Sequence, residues 1–302
     1  MSLKNLSAKI KIPRLLLEKL NNKKVKRIYR QFVKSLNDEQ KFAVAVSGGP
    51  DSLALAFLAK VYSIKNNSMA KFFIVDHKMR SESTKEAKFI KSLLKQYSIN
   101  AQILTWKGKK PSTNIQSQAR KKRYELIFRE CDRFKIKNIL LGHHQDDLLE
   151  NFFMRLLRGS GLKGLISLGQ KTKIGNKYLL RPLINQKKKD LMFLSKYVFN
   201  FYVEDPTNKS EKYQRTQIRK LIGELEKKGL NKKKFSDTVR NLKYSNNVVD
   251  FYVNKNLNEN TFFLTKKNKL ILKSEFFKES YEVIFRSFSE IIKLIGKKYY
   301  FV

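Results

Sequence analysis

The chain has 302 residues, 41% hydrophobic and 12% aromatic, which suffices for a buried core and excludes a disordered tail. Sixty-five Lys and Arg face 26 Asp and Glu, and the net charge of +39 favours a polyanionic partner, nucleic acid first. The single cysteine, Cys131, excludes an internal disulfide and a Cys-x-x-Cys metal site.

Residues 14–36 place leucine, isoleucine and valine among basic residues at helical spacing, and read as an amphipathic helix within a helical extension over 1–37. No apolar stretch approaches a membrane span. The basic N-terminus lacks an uninterrupted apolar run and a small-residue cleavage site, so a cytoplasmic location is expected. Phe42 to Val46 is a continuous apolar run that ends in Ser-Gly-Gly-Pro-Asp-Ser at 47–52 and passes into the helical pattern of Leu53 to Tyr62. That is a buried strand, a tight turn and a helix. Gly48 and Gly49 let backbone N–H groups converge on an anion, and the helix N-terminus adds partial positive charge. The Gly-Lys-Ser/Thr ending of a Walker A loop is missing. Asp51 stands in place of that lysine, and a carboxylate beside a phosphate needs a cation between them, which points to Mg²⁺ bridging Asp51 and a pyrophosphate. The plainer alternative is a strand-to-helix turn with Pro50 and Asp51 as favourable first-turn residues.

Lys71 to His77 forms a second apolar strand, 82–96 has helical spacing, and Ala101 to Trp106 is a third strand. Residues 115–134 read as helix, Asn138 to Gly142 as a fourth strand, and Tyr178 to Leu183 as a fifth. This alternation predicts an α/β fold with a parallel sheet of about five strands and helices on both faces. Ligands bind such sheets beyond the carboxyl ends of the strands. Ser47–Ser52, Asp76–Arg80 and His143–Glu150 fall there. Beyond about residue 205, 211–250 is basic and helical in spacing, with a Lys-Lys-Gly-Leu-Asn-Lys-Lys-Lys turn at 227–234. Two short apolar runs after 260 predict a hairpin and 276–295 a last helix. The expected domains are 1–221, binding ATP and catalytic, and 222–302, smaller, basic and mostly helical.

The second informative stretch is Gly142-His-His-Gln-Asp-Asp-Leu-Leu-Glu-Asn151, which follows a strand and should open a helix. His143, Asp147 and Glu150 are spaced i, i+4, i+7 and would share one helix face. A histidine with two carboxylates suits a metal or a bound amine. The spacing is not that of His-Glu-x-x-His, so capture and deprotonation of a substrate amine fits better. Acids placed for the helix dipole are the alternative.

Taken in order, the motifs are Ser-Gly-Gly-Pro-Asp-Ser at 47, Val-Asp-His-Lys-Met-Arg at 75, Ala-Arg-Lys-Lys-Arg-Tyr at 119 and Gly-His-His-Gln-Asp-Asp at 142. Arg-Leu-Leu-Arg-Gly-Ser-Gly at 155, Arg-Pro-Leu at 181, Glu-Asp-Pro-Thr-Asn at 204 and Arg-Thr-Gln-Ile-Arg at 215 complete the series. Together they resemble the tRNA(Ile)-lysidine synthase family, a branch of the ATP pyrophosphatase (PP-loop) group, over roughly 38–220, in the shorter form without a long C-terminal extension. Leu148, Asn151, Ser210 and Thr216 depart from that pattern. The resemblance implies an adenine nucleotide alpha hydrolase-like fold and a carbon–nitrogen ligase. That enzyme adenylates C2 of the wobble cytidine of a CAU-anticodon tRNA(Ile), then lets free lysine displace AMP. It further implies that Ser47, Gly48, Gly49, Pro50, Asp51 and Ser52 bind ATP, Asp51 holds Mg²⁺ and Arg123 stabilises charge at the α-phosphate. Asp147 and Glu150 would hold the lysine amine, with His143 in support, and a homodimer is compatible with the family. Arg80, Arg155, Arg158, Arg215 and Arg219 are candidate tRNA contacts, since arginine is scarce beside lysine here and suits planar phosphate recognition. Three rivals stand against this reading. A tRNA thiolase would be expected to need paired cysteines or an iron–sulfur cluster, a small-molecule adenylating enzyme would not need such a charge, and an RNA-binding module would not need Asp51.

Overall fold

The computed structural model describes residues 15–36, 38–79, 81–108, 113, 115–203, 214–264 and 269–296. Arg80 and the motif at 204–208 lie outside the described residues. Two compact units are present. One takes the described residues up to Asn151 together with Leu168–Ile222, the other Phe152–Ser167 together with the described residues from Gly223. The division is thus not a single cut in the chain, because the segment 152–167 groups with the C-terminal residues.

The first unit is α/β. Its elements are α1 (Lys23–Lys34), β1 (Lys41–Val46), α2 (Pro50–Lys65), β2 (Met69–Asp76), α3 (Ser83–Gln96), β3 (Ala101–Thr105), α4 (Ile115–Arg133) and β4 (Asn138–Leu140). α5 (Gln145–Leu156) starts in this unit, the one-turn α6 (Leu162–Leu165) belongs to the second, and β5 (Lys171–Ile174), β6 (Lys177–Leu180) and α7 (Lys188–Phe199) return to the first. The sheet order is β3-β2-β1-β4-β6-β5, parallel except for β5, which pairs antiparallel with β6. Six strands thus replace the expected five. β5, Lys-Thr-Lys-Ile, is a short polar edge strand and carries no apolar run by which it could be recognised. The N-terminal helix is also not continuous over 14–36. A 3₁₀ turn at Lys19–Asn21 interrupts it, and Asn22 restarts it by accepting from the N–H groups of Lys24 and Val25 at 2.9 and 3.2 Å.

Side-chain alternation decides which helices cover which face. Phe42, Val44 and Val46 of β1 pack with Ile28 and Phe32 of α1, Leu53 and Leu58 of α2, Ile90 of α3, and Leu191 and Leu194 of α7. Ala43 of β1, Phe73 of β2 and Ile139 of β4 point the other way, onto Tyr124, Ile127 and Cys131 of α4. α2 is buried continuously from Ser52 to Ala59, which is why its sequence is apolar all round rather than striped. The chain leaves β1 towards β2 and β3, then returns to place β4 on β1's other side. A crevice therefore opens between the carboxyl ends of β1 and β4, the switch point at which such sheets bind ligands.

The second unit contains α8 residues from Gly223 (the helix spans Gln214–Lys227), α9 (Lys232–Asn260), the hairpin β7 (Thr261–Leu264) and β8 (Lys269–Leu272), and α10 (Tyr281–Gly296). α8 stops at the lysine-rich turn because Gly229 takes φ 103° and lets the N–H of Leu230 reach the Leu225 carbonyl at 2.8 Å. Asn231 then caps α9 by accepting from Lys233 and Lys234 at 2.9 and 3.2 Å. Buried Arg286 on α10 reaches Asn246 and Asp250 on α9 at 2.6 and 3.2 Å, joining the two helices.

Candidate active site

The loop after β1 is built around Gly48 and Ser52. Gly48 has φ +86°, and a Cβ there would lie 2.9 Å from the Ile90 side chain and 3.2 Å from Val203. Only glycine fits this position without strain. Its carbonyl accepts from Val203 N–H at 2.9 Å. Ser52 Oγ donates to the Gly49 carbonyl at 3.0 Å, accepts from Ser47 N–H at 3.1 Å and lies 3.2 Å from Ser47 Oγ. Gly49, the N-cap of α2, offers no side chain to the first turn, and Pro50 occupies a first-turn position. The helix end therefore keeps N–H groups for an incoming anion.

Gly142 brings the loop after β4 against this turn. A Cβ on it would stand 3.1 Å from the Asp51 carbonyl group and from Ser52 N, so the two loops touch backbone to backbone. His144, buried, then sits between two carboxylates, with Nε2 3.6 Å from Asp51 Oδ2 and 3.6 Å from Asp147 Oδ2. Asp147 Oδ2 also accepts from His144 N–H at 2.9 Å, and His144 Nδ1 accepts from Asp146 N–H at 3.2 Å. Nε2 is thereby the ring nitrogen turned towards both carboxylates.

The two carboxylates differ. Burial raises the Asp51 carboxyl above its ordinary range and the Asp147 charge adds to this, against the opposing pull of His144 and Lys188. Asp51 Oδ1 is buried without a hydrogen-bond partner. A cation would relieve both conditions, so Asp51 fits Mg²⁺. Among the described residues no group of three or more histidine, cysteine, aspartate or glutamate side chains could hold a metal alone. An ion here would complete its shell with substrate phosphates and water, as magnesium commonly does. Burial also pushes the Asp147 carboxyl up, but His144, His143, the His144 N–H and Arg215 outweigh it and leave it below the usual range, a stable anion.

Around this acidic centre stands an arginine-rich wall. His143 is pushed down to about 3 by burial, with Arg181, Arg120 and Arg215 adding to the effect against Asp147, so it is neutral at physiological pH. Arg181, buried, donates to Gly169 O at 2.9 Å and Thr172 Oγ1 at 2.8 Å, and its Nε has no partner. Arg123 on α4 donates from Nε to His77 Nε2 at 3.2 Å, at the carboxyl end of β2. Buried Asp76 shapes that end by accepting from Lys78 N–H, Ser83 and Thr84 at 3.0, 2.8 and 2.7 Å. Cys131, by contrast, is buried in the core with its thiol pushed up to about 12, a structural side chain.

Two sequence expectations are corrected. His143 does not share a helix face with Asp147 and Glu150, because α5 begins at Gln145 and His143 precedes it. Glu150 does not face an open site: buried, it accepts from Arg219 Nε at 2.5 Å and Nη2 at 3.2 Å. Arg219 is accordingly engaged with Glu150, while Arg215 is exposed. Arg155, half-buried, and Arg158, exposed, lie in the second unit. The residues that sequence reasoning passed over are His144, Arg120 and Arg181. The adjacent pair His143-His144 gave a signal, but which ring turns inward depends on the helix start. Arg120 and Arg181 lay inside quoted motifs without a role.

A family model described as the PP-loop domain matches residues 20–226. Among curated proteins, the chain is similar to the tRNA(Ile)-lysidine synthase of Orientia tsutsugamushi (strain Boryong), 42% identical over 62% of this chain and 42% of that protein. It is also similar to those of the Wolbachia of Brugia malayi (33% identity, 86% and 61% covered) and of Bradyrhizobium diazoefficiens (31%, 73% and 62%). The chain thus spans between about two fifths and three fifths of the length of these relatives. Among solved structures, the U34-tRNA thiolase NcsA from Methanococcus maripaludis superposes with a TM-score of 0.63 at 22% identity, covering 73% of this chain and 79% of that one, a likeness of fold.

Proposed function

As the chain belongs to the PP-loop family, we propose that it modifies tRNA in an ATP-dependent reaction, ligating free lysine to C2 of the wobble cytidine in a CAU-anticodon tRNA(Ile). The observation that carries this reading is the Asp51–His144–Asp147 cluster at the switch point, one carboxylate fit for a metal and the other for an ammonium group. The names of the curated relatives support the same reaction.

In the first step the cytidine C2 oxygen attacks the α-phosphorus of ATP and pyrophosphate leaves. Ser47, Ser52 and the free N–H groups of α2 bind phosphate oxygens, and the glycines let the backbone approach. Mg²⁺ held by Asp51 would neutralise charge on the leaving pyrophosphate. Arg123, with Arg120 beside it, stabilises the negative charge that develops at the α-phosphate. Neutral His143 adds no cation there and leaves Asp147 its full charge for the next substrate. In the second step the lysine ε-nitrogen bonds to C2, the C2–O bond breaks, and AMP leaves carrying that oxygen. Asp147 holds the ammonium and accepts the proton that the nitrogen loses. Glu150 acts at one remove by fixing Arg219. The second unit, with Arg155 and Arg158, and exposed Arg215 offer phosphate contacts to tRNA.

The test is purified protein with ATP, Mg²⁺ and an unmodified CAU-anticodon tRNA(Ile) transcript, following AMP release and incorporation of labelled lysine. Lysine transfer confined to tRNA(Ile), absent with the matching methionine tRNA, is expected. AMP release without lysine incorporation would refute the nucleophile, and no AMP at all would refute adenylation.

A further inference from the structure

Among the described residues the buried basic side chains are Lys177, Arg181 and Arg286, exposed by 4%, 3% and 4%. Two of them have a counter-charge. Lys177 is joined to Asp132, and Arg286 reaches Glu282 from Nε at 2.7 Å and Asp250 from Nη1 at 3.2 Å. Arg181 has none. Its Nη1 donates to two neutral acceptors, the Gly169 carbonyl and Thr172 Oγ1, and it forms no ion pair among the described residues. Its Nε is sealed from solvent without a hydrogen-bond partner. A desolvated guanidinium with no anion beside it is costly. Bonding through Nη1 leaves open the opposite edge, Nε with Nη2, which is the fork that takes two parallel bonds from an oxyanion such as a carboxylate.

The sheet places that edge. Arg181 follows β6 directly, and Leu141 N–H donates to the Leu180 carbonyl at 2.9 Å. Leu141 precedes Gly142 and His143, so Arg181 leaves its strand beside the loop that carries His144 and Asp147. β6 is the neighbour of β4, and β1 with its Ser47–Ser52 loop lies on β4's other side. With strands about 4.8 Å apart, Arg181 emerges one step from the loop of Asp147 and two steps, about 10 Å, from the phosphate-binding loop. Its charge acts on His143 and Asp147, in keeping with that placement.

Resting on the lysine-ligating reading above, we propose that the Nε–Nη2 edge of Arg181 binds the α-carboxylate of the free amino acid whose ε-ammonium Asp147 holds. An extended lysine separates these two groups by about 7 Å, which spans the step from the β4 loop to β6. The other oxyanion of the reaction, the phosphate chain of ATP, has its N–H groups at the far strand. An amine without a carboxylate would leave Arg181 buried and unpaired, so the same contact rejects simple diamines.

The test supplies the full chain, ATP, Mg²⁺ and the tRNA(Ile) transcript with labelled lysine or labelled cadaverine, which is lysine without its carboxylate and keeps both amines. The unaltered chain should prefer lysine in kcat/KM by about tenfold or more, as expected of a charge-assisted pair. In Arg181→Met lysine should fall to within about twofold of cadaverine, while cadaverine itself and the KM for ATP change by no more than about twofold. Arg181→Lys, which keeps the charge and loses the fork, should recover part of the preference. Equal use of the two amines by the unaltered chain would overturn the proposal without any variant, so misfolding of Arg181→Met could not protect it. A folded Arg181→Met that keeps the preference would also overturn it, and a raised KM for ATP in that variant would assign the cation to phosphate instead. If the unaltered chain incorporates no lysine at all, the reading of the reaction itself fails, and this inference with it.

Discussion

The Glu150–Arg219 pair allows a direct trial of what Glu150 does. Its carboxylate side chain is 4% exposed and takes both of its bonds from one guanidinium, whose own side chain is 34% exposed. Removing one partner of a fully buried pair costs ~3–5 kcal/mol because the other charge stays desolvated and alone. Arg219 keeps about a third of its surface in water, and water can follow the truncated side chain, so Arg219→Met should destabilise the first unit by about 2–3 kcal/mol. Glu150→Gln keeps the shape and one acceptor and should cost about 1–2 kcal/mol. The double variant leaves no buried charge unpaired, and should fall short of the sum of the two losses by about 1–2 kcal/mol. Trp106, the single tryptophan, lies in the first unit against the β3–α4 side of the core, so its fluorescence during urea unfolding reports on this unit alone. Additive losses would refute the pairing. So would an unchanged stability in Arg219→Met, and a weakened affinity for lysine with normal stability in Glu150→Gln would return Glu150 to the substrate.

Gly48→Ala should cost about 2–4 kcal/mol, since a Cβ at φ +86° is strained and meets the buried Ile90 side chain at 2.9 Å; thermal unfolding and nucleotide binding should both report it. Asp51→Asn should abolish Mg²⁺-dependent AMP formation while unfolding at the same denaturant concentration or a higher one, because burial disfavours the charge it removes; a variant that still forms AMP at the normal rate would refute the metal assignment. His77 has its pKa lowered to about 4 by burial and by Arg123. The unfolded chain therefore binds the proton first, and the stability contribution is complete above about pH 6.5 and is lost as pH falls towards 4. Between those values the unfolding free energy should fall less steeply in His77→Asn than in the unaltered chain. With +39 net charge, binding of the tRNA transcript should weaken steeply as salt rises, the slope on a log–log plot counting the phosphates neutralised.

Much of this was written locally. The apolar run at 42–46, the two glycines and the aspartate specified strand, turn and anion-binding helix end, because each depends on residues within one turn of its neighbours. The alternating periods specified a parallel α/β sheet, and parallel strands put their polar ends on one edge. Gly229 and Asn231 likewise marked the break between α8 and α9 through their own backbone preferences.

Tertiary structure decided the rest. Strand order and the antiparallel edge strand β5 depend on which neighbours a strand meets, and Lys-Thr-Lys-Ile has no pattern that announces one. That His144 rather than His143 lies between Asp51 and Asp147 follows from where α5 starts and from Gly142 docking on the Asp51 backbone, a contact across some ninety residues of chain. That Glu150 meets Arg219, 69 positions away, is likewise a product of packing. Residue type and spacing carry the chemistry a side chain can perform; its partner, and so the charge state and role it holds, is set only when distant segments share one dry volume.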